Sequence, residues 1–231
     1  MADETGRSRA FFGRRKGHPL RPQQAALFET LLPRLAIDLT APPPAPASLF
    51  PDLVNDVRLE IGFGGGEHLI AEARSHQRTG FIGAEPFVNG VAKLLVAIES
   101  SRLANIRIYD GDARDLLPRL GSGTLAAVHL LFPDPWPKKR HQRRRFVQPA
   151  TIAAIHRLLR PGGRFVFVSD AGDYAVATLQ LMLANGGFTW TAEAPADWRW
   201  PLPGAASTRY EAKALATGAK PIHLEFEKKR Q

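Results

Sequence analysis

A run of glycines stands where one buried strand ends and a helix begins. Residues 56–61 (DVRLEI) are typical of a buried strand, residues 62–66 (GFGGG) follow directly, and a helical stretch starts at Glu67. Glycine in such a turn allows positive φ and a close approach of the backbone to a ligand. Strand, glycine turn and helix in this order predict the first βα unit of a parallel sheet.

Strand-like and helical stretches continue to alternate along the chain. Further strands are predicted at 81–84, 106–109, 125–132, 164–168, 188–191 and 222–227, with helices at 67–75, 88–100, 146–159 and 174–184. This order predicts an α/β fold with a doubly wound, mostly parallel sheet. Residues 1–48 predict a basic arm, a short helix from Pro22 with a kink or stop at Pro33, and a Pro-rich spacer at 41–48; residues 49–231 form the main domain.

The formal net charge of +9 is concentrated in two segments. Residues 138–145 (KKRHQRRR) carry +6 and residues 1–21 carry +4, which leaves −1 for the rest of the chain. Concentrated positive charge indicates a polyanionic partner, most often nucleic acid. For residues 1–21, a solubility feature or a disordered tail is an equal alternative.

The absence of cysteine and of long apolar runs excludes several classes of protein. With no cysteine in the chain, a disulfide scaffold, a thiolate nucleophile and a Cys-ligated metal are excluded, and we expect no metal. No apolar run approaches the roughly 20 residues of a membrane span, and the basic N-terminus lacks the apolar core of a signal peptide. We therefore expect a cytoplasmic protein without a membrane partner.

The glycine turn favours a nucleoside ligand that lacks phosphate. The dinucleotide pattern G-x-G-x-x-G requires glycine at position 67, where this chain has Glu67, and a carboxylate there would repel a pyrophosphate. S-adenosylmethionine is a ligand of the required kind. Glu60 could face its ammonium, Glu85 its ribose hydroxyls and Asp112 its adenine, although any one of these acids could instead cap a helix.

The end of the fourth predicted strand carries a rigid acidic and aromatic element. Residues 130–137 read LLFPDPWP, and three prolines in five positions hold Asp134 and Trp136 in place. A fixed carboxylate beside an aromatic face can clamp a nucleobase by hydrogen bonding and stacking. A merely stiff loop is the alternative, but the basic run that follows places phosphate-binding charge at the same edge. Asp170, after the fifth strand, either caps the next helix or faces the site, and Thr208 and Glu211 suit a capping box within a loop.

Together these stretches resemble the bacterial tRNA (guanine-N7-)-methyltransferases of the TrmB type. The resemblance rests on RRKGHPLRPQQ, LEIGFGGGEHL, FIGAEP, GDAR, HLLFPDPWPKKRHQRRRFVQP, VSDAGDYA and TRYEAKALATGAKPIHLEFE, in that order from Arg14 to Glu227. It implies a Rossmann-like methyltransferase fold over residues 49–231 with an antiparallel last strand. It also implies methyl transfer from S-adenosylmethionine to N7 of a variable-loop guanosine of tRNA (position 46).

The resemblance also implies roles for individual residues. Asp134 is the implied catalytic residue. The implied cofactor-binding residues are Glu60, Gly62, Gly64, Glu85, Asp112 and Asp134. The implied substrate-binding residues are Lys138, Asp170, Thr208, Arg209, Tyr210 and Glu211, and the implied RNA-binding residues are Lys139, Arg140, Arg143, Arg144 and Arg145.

The chemistry expected at this site needs no general base, because guanine N7 has a free lone pair and no proton. That expectation agrees with a chain that shows no cysteine and no obvious histidine dyad. Two alternatives stay open: another RNA base methyltransferase, and a non-catalytic RNA-binding module on the same fold. A nicotinamide oxidoreductase is disfavoured by Glu67, and the sequence leaves monomer and homodimer equally open.

Overall fold

A seven-stranded sheet organises the computed structural model, which describes residues 13–40, 45–200 and 209–230. Its strands are β1 Asp56–Ile61, β2 Thr79–Ala84, β3 Ile106–Tyr109, β4 Leu125–Leu131, β5 Leu159–Ser169, β6 Phe188–Trp190 and β7 Ile222–Lys228. Their order across the sheet is β3-β2-β1-β4-β5-β7-β6. Strands β1 to β5 pair in parallel, and β7 runs antiparallel to both β5 and β6, which confirms the predicted fold class.

Helices cover both faces of the sheet. They are α1 Pro22–Thr30, α2 Leu32–Leu35, α3 Glu67–Ser75, α4 Val88–Ser101, α5 Ala113–Leu116, α6 Pro149–Leu158, α7 Gly172–Asn185, α8 Ala196–Arg199 and α9 Arg209–Ala216. Neighbouring residues of one strand point to opposite faces, and Phe81 and Ile82 of β2 accordingly belong to two different hydrophobic cores. Because both faces are covered, every residue of β2 is buried.

The N-terminal region shares the core of the main domain. Leu27, Leu31 and Leu35 pack in the same core as α3 and α4, and the backbone N–H of Ile37 donates to the carbonyl of Ile108 in β3 at 2.8 Å. These helices bury their apolar side chains against the sheet and belong to the same core as the main domain. The domain boundary predicted at residue 48 stays a prediction. Residues 46–49 form a 3₁₀ helix that overlaps the end of the proposed spacer, and 41–44 lie outside the described residues.

Three elements differ most from their predicted bounds or type. Helix α6 starts at Pro149 because Thr151 Oγ1 accepts from the N–H of Gln148, which caps the helix. Strand β5 is longer than predicted and begins directly after α6. The loop predicted around 208–211 is wrong over its described part, because α9 begins at Arg209. Its apolar Ala214 is buried, a helical spacing from the buried Glu211.

The sheet has its topological switch point at β1, which pairs with β2 on one side and with β4 on the other. In open α/β sheets, ligands bind in the crevice that opens there, at the carboxyl ends of the strands. The glycine turn follows β1, Glu85 follows β2 and the Pro-Asp-Pro-Trp element follows β4, all at this edge. The fold thus brings the sequence-predicted site to one place.

Candidate active site

A cleft of about 430 Å³ opens at the carboxyl ends of β1, β2 and β4. Its volume lies in the range of small-molecule sites. The acids Glu85, Asp112 and Asp134 line it together with the turn residues Gly62 and Gly64. Five of the six predicted cofactor-binding residues therefore meet in one cavity. The exception is Glu60, which is not among the described lining residues.

Close packing explains the glycine turn. Gly64 has φ of 58°, and a Cβ there would lie 3.2 Å from the ring of Tyr210. Gly90, at the start of α4, packs so tightly that a Cβ would lie 2.2 Å from the carbonyl oxygen of Gly64. Side chains at these two positions would push the turn away from α4 or fill the space in front of it. Because these side chains are absent, the backbone of the turn itself forms the surface next to the cleft.

Glu85 is held beside the turn by two backbone amides. Gly64 N–H donates to Oε2 at 2.8 Å, and Phe87 N–H donates to Oε1 at 2.9 Å. Burial raises the pKa of Glu85 above its usual value, and these two hydrogen bonds oppose the rise. A carboxylate with further lone pairs, held rigidly at the end of β2, is suited to accept hydrogen bonds from ribose hydroxyls.

Asp112 both caps a helix and lines the cleft. Its Oδ1 accepts from the N–H of Arg114 at 3.0 Å, which satisfies the start of α5. The capping alternative for this acid is therefore correct, and it is compatible with a ligand on the other side. Because the cap fixes the side chain, Asp112 presents a stationary carboxyl group to the cleft.

Glu60 lies behind the turn. It is 4 % exposed, and its Oε2 lies 2.7 Å from Nδ1 of His68, the second residue of α3. The predicted direct contact of Glu60 with a cofactor stays a prediction, since the structure shows this carboxylate engaged with a histidine. Glu60 and His68 are eight residues apart in a strand–turn–helix unit, and the fold of this unit brings their side chains together. In the sequence alone, this spacing did not identify them as a pair.

The Pro-Asp-Pro-Trp element is strained and exposes its acid to the cleft. Phe132, directly before the element, and Trp136, its last residue, have φ of 49° and 44°, a backbone region that non-glycine residues rarely adopt. Asp134 between them is exposed and lines the cleft. Strain of this kind is retained where surrounding contacts enforce it, and functional sites are the common location.

The basic run divides into residues with different positions. Lys138, Lys139, Arg140 and Arg143 are exposed around a 3₁₀ helix at 139–144. Arg144 lies over the ring of Trp136, with its guanidinium carbon 5.0 Å from the ring centroid, and lines the cleft. These positions fit the predicted contact with a polyanion.

Arg145 differs from its neighbours, because its guanidinium faces the protein interior. It is 5 % exposed, donates from Nε to the carbonyl of Pro135 at 2.8 Å, pairs with Asp173 and lies 4.6 Å from the Tyr174 ring centroid. The expectation that Arg145 contacts RNA does not suit this position. Its contacts instead hold the strained Pro-Asp-Pro-Trp element from the side of the protein interior.

The predicted substrate-binding residues fall into separate groups. Tyr210 lines the cleft and stacks on Phe132 with ring centroids 6.4 Å apart, and Arg209 lies over the Tyr210 ring. Glu211 is buried, with Oε1 3.6 Å from Nε2 of His223. Asp170 is exposed after β5 and is not among the described lining residues, and Thr208 lies outside the described residues.

A segment near the N-terminus contributes to the wall of the cleft, within the part of the chain for which the sequence predicts a basic arm. Residues 13–18, here called the strap, lie on the start of α4. Asn89 fixes the strap from both sides: its Oδ1 accepts from Gly17 N–H at 2.7 Å, and its Nδ2 donates to His18 O at 2.8 Å. The strap thereby places Gly13 and Arg14 in the wall of the cleft.

The residues present fit S-adenosylmethionine. The cleft combines sufficient volume, carboxylates from Glu85 and Asp112, and a turn whose backbone lies open to a ligand. The structure contains no group of three or more potential metal ligands among its described residues. No described helix is long and apolar enough to cross a membrane.

Comparisons with known proteins agree with this geometry. Residues 55–224 match the family described as "Putative methyltransferase". A tRNA (guanine-N(7)-)-methyltransferase of Nitrobacter hamburgensis is 52% identical over 97% of this chain and 91% of its own length.

Solved structures show the same fold at low identity. The 16S rRNA methyltransferase KamB has a TM-score of 0.55 at 16% identity, over 77% of this chain and 89% of its own. A protein of Streptococcus mutans described as "a putative methyltransferase", in complex with SAH, has a TM-score of 0.50 at 14% identity, over 79% of this chain and 93% of its own. At these identities, the likeness shows a shared architecture alone.

Proposed function

The chain belongs to the bacterial tRNA (guanine-N(7)-)-methyltransferase family, and from this membership and the cleft we infer that it transfers a methyl group from S-adenosylmethionine to N7 of a guanine in tRNA. The observation that carries the inference is the meeting of Glu85, Asp112 and Asp134 in one cleft, with Arg144 of the basic run in its wall. One edge of the sheet thus presents carboxylates for a cationic nucleoside and cations for an RNA backbone.

S-adenosylmethionine, when bound, would supply an electrophilic methyl group to which the in-plane lone pair of guanine N7 can donate, while the methyl–sulfur bond breaks and the sulfur leaves as a neutral thioether. Glu85 and Asp112 would hold the nucleoside part of the cofactor, since both carboxyl groups are fixed by backbone amides. A residue that removes a proton is not required, because N7 carries none at neutral pH. The protein's contribution is therefore alignment and electrostatic stabilisation.

Asp134 is proposed as the residue that orients the guanine or stabilises the positive charge that develops on it. Its exposed carboxyl group lies in the cleft between two residues of restricted backbone, Phe132 and Trp136. The rigid backbone keeps the acid in place without an energetic cost at the moment of reaction. Lys138 and Arg143, exposed beside it, would bind the phosphates of the substrate.

The substrate position and cellular site extend the proposal. We place the modified guanine in the variable loop at position 46 and the reaction in the cytoplasm. A guanine in folded tRNA has a partly covered N7 edge, so the enzyme would turn the nucleotide out of its stack before transfer.

Methyl transfer to tRNA tests the proposal directly. Unmodified tRNA is incubated with the enzyme and methyl-labelled S-adenosylmethionine, and the labelled nucleoside is identified by chromatography as 7-methylguanosine. Reduction followed by aniline cleavage then maps the modified position. Label on another nucleoside, or no transfer, would contradict the proposal.

Variants at Asp134 test its role. We expect Asp134→Ala to lower kcat by at least about 100-fold, and calorimetry measures any change in cofactor affinity separately. Asp52→Ala, which removes an exposed acid that is not among the described lining residues of the cleft, is the matched control and keeps wild-type turnover. Near wild-type turnover of Asp134→Ala would reject the role.

A further inference from the structure

Arg144 places a cation over an aromatic ring inside the cleft. Its guanidinium carbon lies 5.0 Å from the centroid of the Trp136 ring, and both residues line the cleft. Arg144 is only partly exposed, whereas Arg143, its neighbour in the basic run, is exposed. A guanidinium at this distance is attracted to the ring by a cation–π interaction. One cation of the basic run therefore lies in the cleft.

Trp136 belongs to the same short segment as the proposed catalytic acid. It is the last residue of the Pro-Asp-Pro-Trp element, has φ of 44° and follows Asp134 by two positions. The ring of His141, from the basic run, packs against it at an interplanar angle of 85°, with centroids 6.0 Å apart. A carboxylate and an indole ring are thus presented to the cleft by one rigid segment.

The guanidinium of arginine and a guanine base are chemically alike. Guanine contains a guanidine unit, made of N1, C2, N2 and N3, which is planar like the arginine head group. Methylation at N7 adds a positive charge that is spread over the purine, so the product base is a planar, delocalised cation. An aromatic face that binds a guanidinium therefore has the chemistry to bind this base, and to bind it more tightly as its charge develops.

A second pair of arginine and aromatic ring in the cleft wall differs from this one. Arg114 lies 5.6 Å from the centroid of the Phe146 ring. Its Nε is 3.6 Å from Oδ1 of Asp112, so this cation is paired with one of the proposed cofactor-binding acids. Tryptophan also binds cations more strongly than phenylalanine does. The Trp136 ring, next to Asp134, is therefore the better surface for the substrate base.

We propose that Arg144 is a specificity-determining residue, which covers the surface of Trp136 on which the substrate guanine stacks. When RNA binds, a backbone phosphate takes the guanidinium of Arg144, and the base takes its place on the ring. The ring then stabilises the positive charge that develops on the guanine. This inference rests on the proposed function, since its ligand is a guanine within RNA.

The exchange favours guanosine in RNA over free guanosine. A free nucleoside must displace Arg144 from the ring without offering it a new partner. A nucleotide in RNA brings phosphates, which form charge-assisted hydrogen bonds with a guanidinium. A cation–π contact corresponds to about two- to fivefold in affinity at an exposed ring and to more at a desolvated one. This factor is the penalty that a free nucleoside carries.

Binding of free nucleosides measures the exchange without methyl transfer. S-adenosylhomocysteine fills the cofactor part of the cleft, guanosine or 7-methylguanosine is titrated in, and the indole N–H signals of the protein are followed by NMR. The chain has four tryptophans, and the signal of Trp136 is the one that disappears in Trp136→Phe. Arg144→Ala should bind both nucleosides at least about threefold more tightly than the wild type, because the ring is uncovered.

A matched control separates uncovering of the ring from a general loss of charge. Arg143→Ala removes the same charge from the exposed neighbour, and its affinity for guanosine should stay within about 1.5-fold of the wild type. Guanosine is uncharged, so relief of electrostatic repulsion does not tighten its binding. An affinity of Arg144→Ala for guanosine that equals or falls below that of the wild type would overturn the proposal.

A second measurement uses the wild type and does not depend on the folding of a variant. Arg144 has a further interaction in the protein besides its contact with the ring, so its removal can lower stability. The guanosine titration is therefore repeated on the wild type with saturating tripolyphosphate, a polyanion that carries no base. By linkage, phosphates that draw Arg144 from the ring should tighten guanosine binding at least about threefold. An unchanged or weaker affinity would also overturn the proposal.

The methylation assay should show opposite effects of one substitution. Arg144→Ala should raise KM for tRNA at least about threefold, because a phosphate contact is lost, and lower the inhibition constant of 7-methylguanosine at least about threefold, because the ring is uncovered. Absence of methyl transfer by the wild type, with the nucleoside titrations as expected, would count against the proposed function alone. Methyl transfer by the wild type without the expected titrations would count against the role of Arg144 alone.

Discussion

Arg145 and Arg143 stand two positions apart in the same basic run, and their replacement by alanine should have opposite consequences. Arg145 is 5 % exposed and contacts Pro135, Asp173 and Tyr174. Arg143 is exposed. Sequence alone treats the two as equivalent cations, whereas the structure makes one a support of the Pro-Asp-Pro-Trp element and the other a surface charge.

The contacts of Arg145 set the size of its effect. The charged hydrogen bond to the Pro135 carbonyl is worth about 1.5–3 kcal/mol and the cation–π contact with Tyr174 about 0.5–2 kcal/mol. The pair with Asp173 adds little, because Asp173 is 54 % exposed and solvent screens it. We expect Arg145→Ala to lower the free energy of unfolding by about 3 kcal/mol, which corresponds to a Tm lower by about 6–12 °C for a chain of this size.

Urea unfolding followed by circular dichroism measures this difference. Arg143→Ala is the control and should stay within about 0.5 kcal/mol of the wild type. In the methylation assay the order reverses: Arg143→Ala raises KM for tRNA and lowers the slope of its salt dependence by about 1, because one phosphate contact is lost. If both variants unfold at the same urea concentration, the structural role assigned to Arg145 is refuted.

Three further predictions concern the cofactor side of the cleft. Gly90→Ala places a Cβ 2.2 Å from the Gly64 carbonyl oxygen and should weaken S-adenosylmethionine binding by at least about tenfold in calorimetry, whereas Gly172→Ala, with open space around it, should not. Asn89→Ala removes both hydrogen bonds to the strap, so trypsin should cleave the strap about tenfold faster; an unchanged rate would show that other contacts hold it. Wild-type affinity for S-adenosylmethionine should fall as pH is lowered through the raised pKa of Glu85, because the protonated acid loses its acceptor charge. In calorimetric titrations, Glu85→Gln should bind the cofactor about tenfold more weakly, and its affinity should not show this dependence on pH.

The fold could be predicted because its signals are local. Alternating strands and helices, the glycine turn and the three prolines after β4 each act on neighbouring residues, and they sufficed to place Glu85, Asp112 and Asp134 at one edge of the sheet. The boundaries of α6 and β5 were less accurate, because capping by Thr151 and pairing with neighbouring strands decide where these elements begin and end.

The pairing of Glu60 with His68 could not be predicted from the chain order. Glu60 lies in β1 and His68 in α3, and the two side chains meet only because the glycine turn folds the helix back onto the strand. The same holds for the strap, whose backbone is held by the side chain of Asn89, more than 70 residues away.

By itself, the sequence determined the class of fold, the edge of the sheet that carries the site and the charge of its partner, since backbone preference, side-chain periodicity and net charge are properties of short segments. Tertiary structure decided which of two neighbouring arginines is buried, which acid faces a histidine instead of the cleft, and which segment closes the cleft. These outcomes depend on desolvation and on contacts between residues distant along the chain, and such energies exist only once the chain has packed.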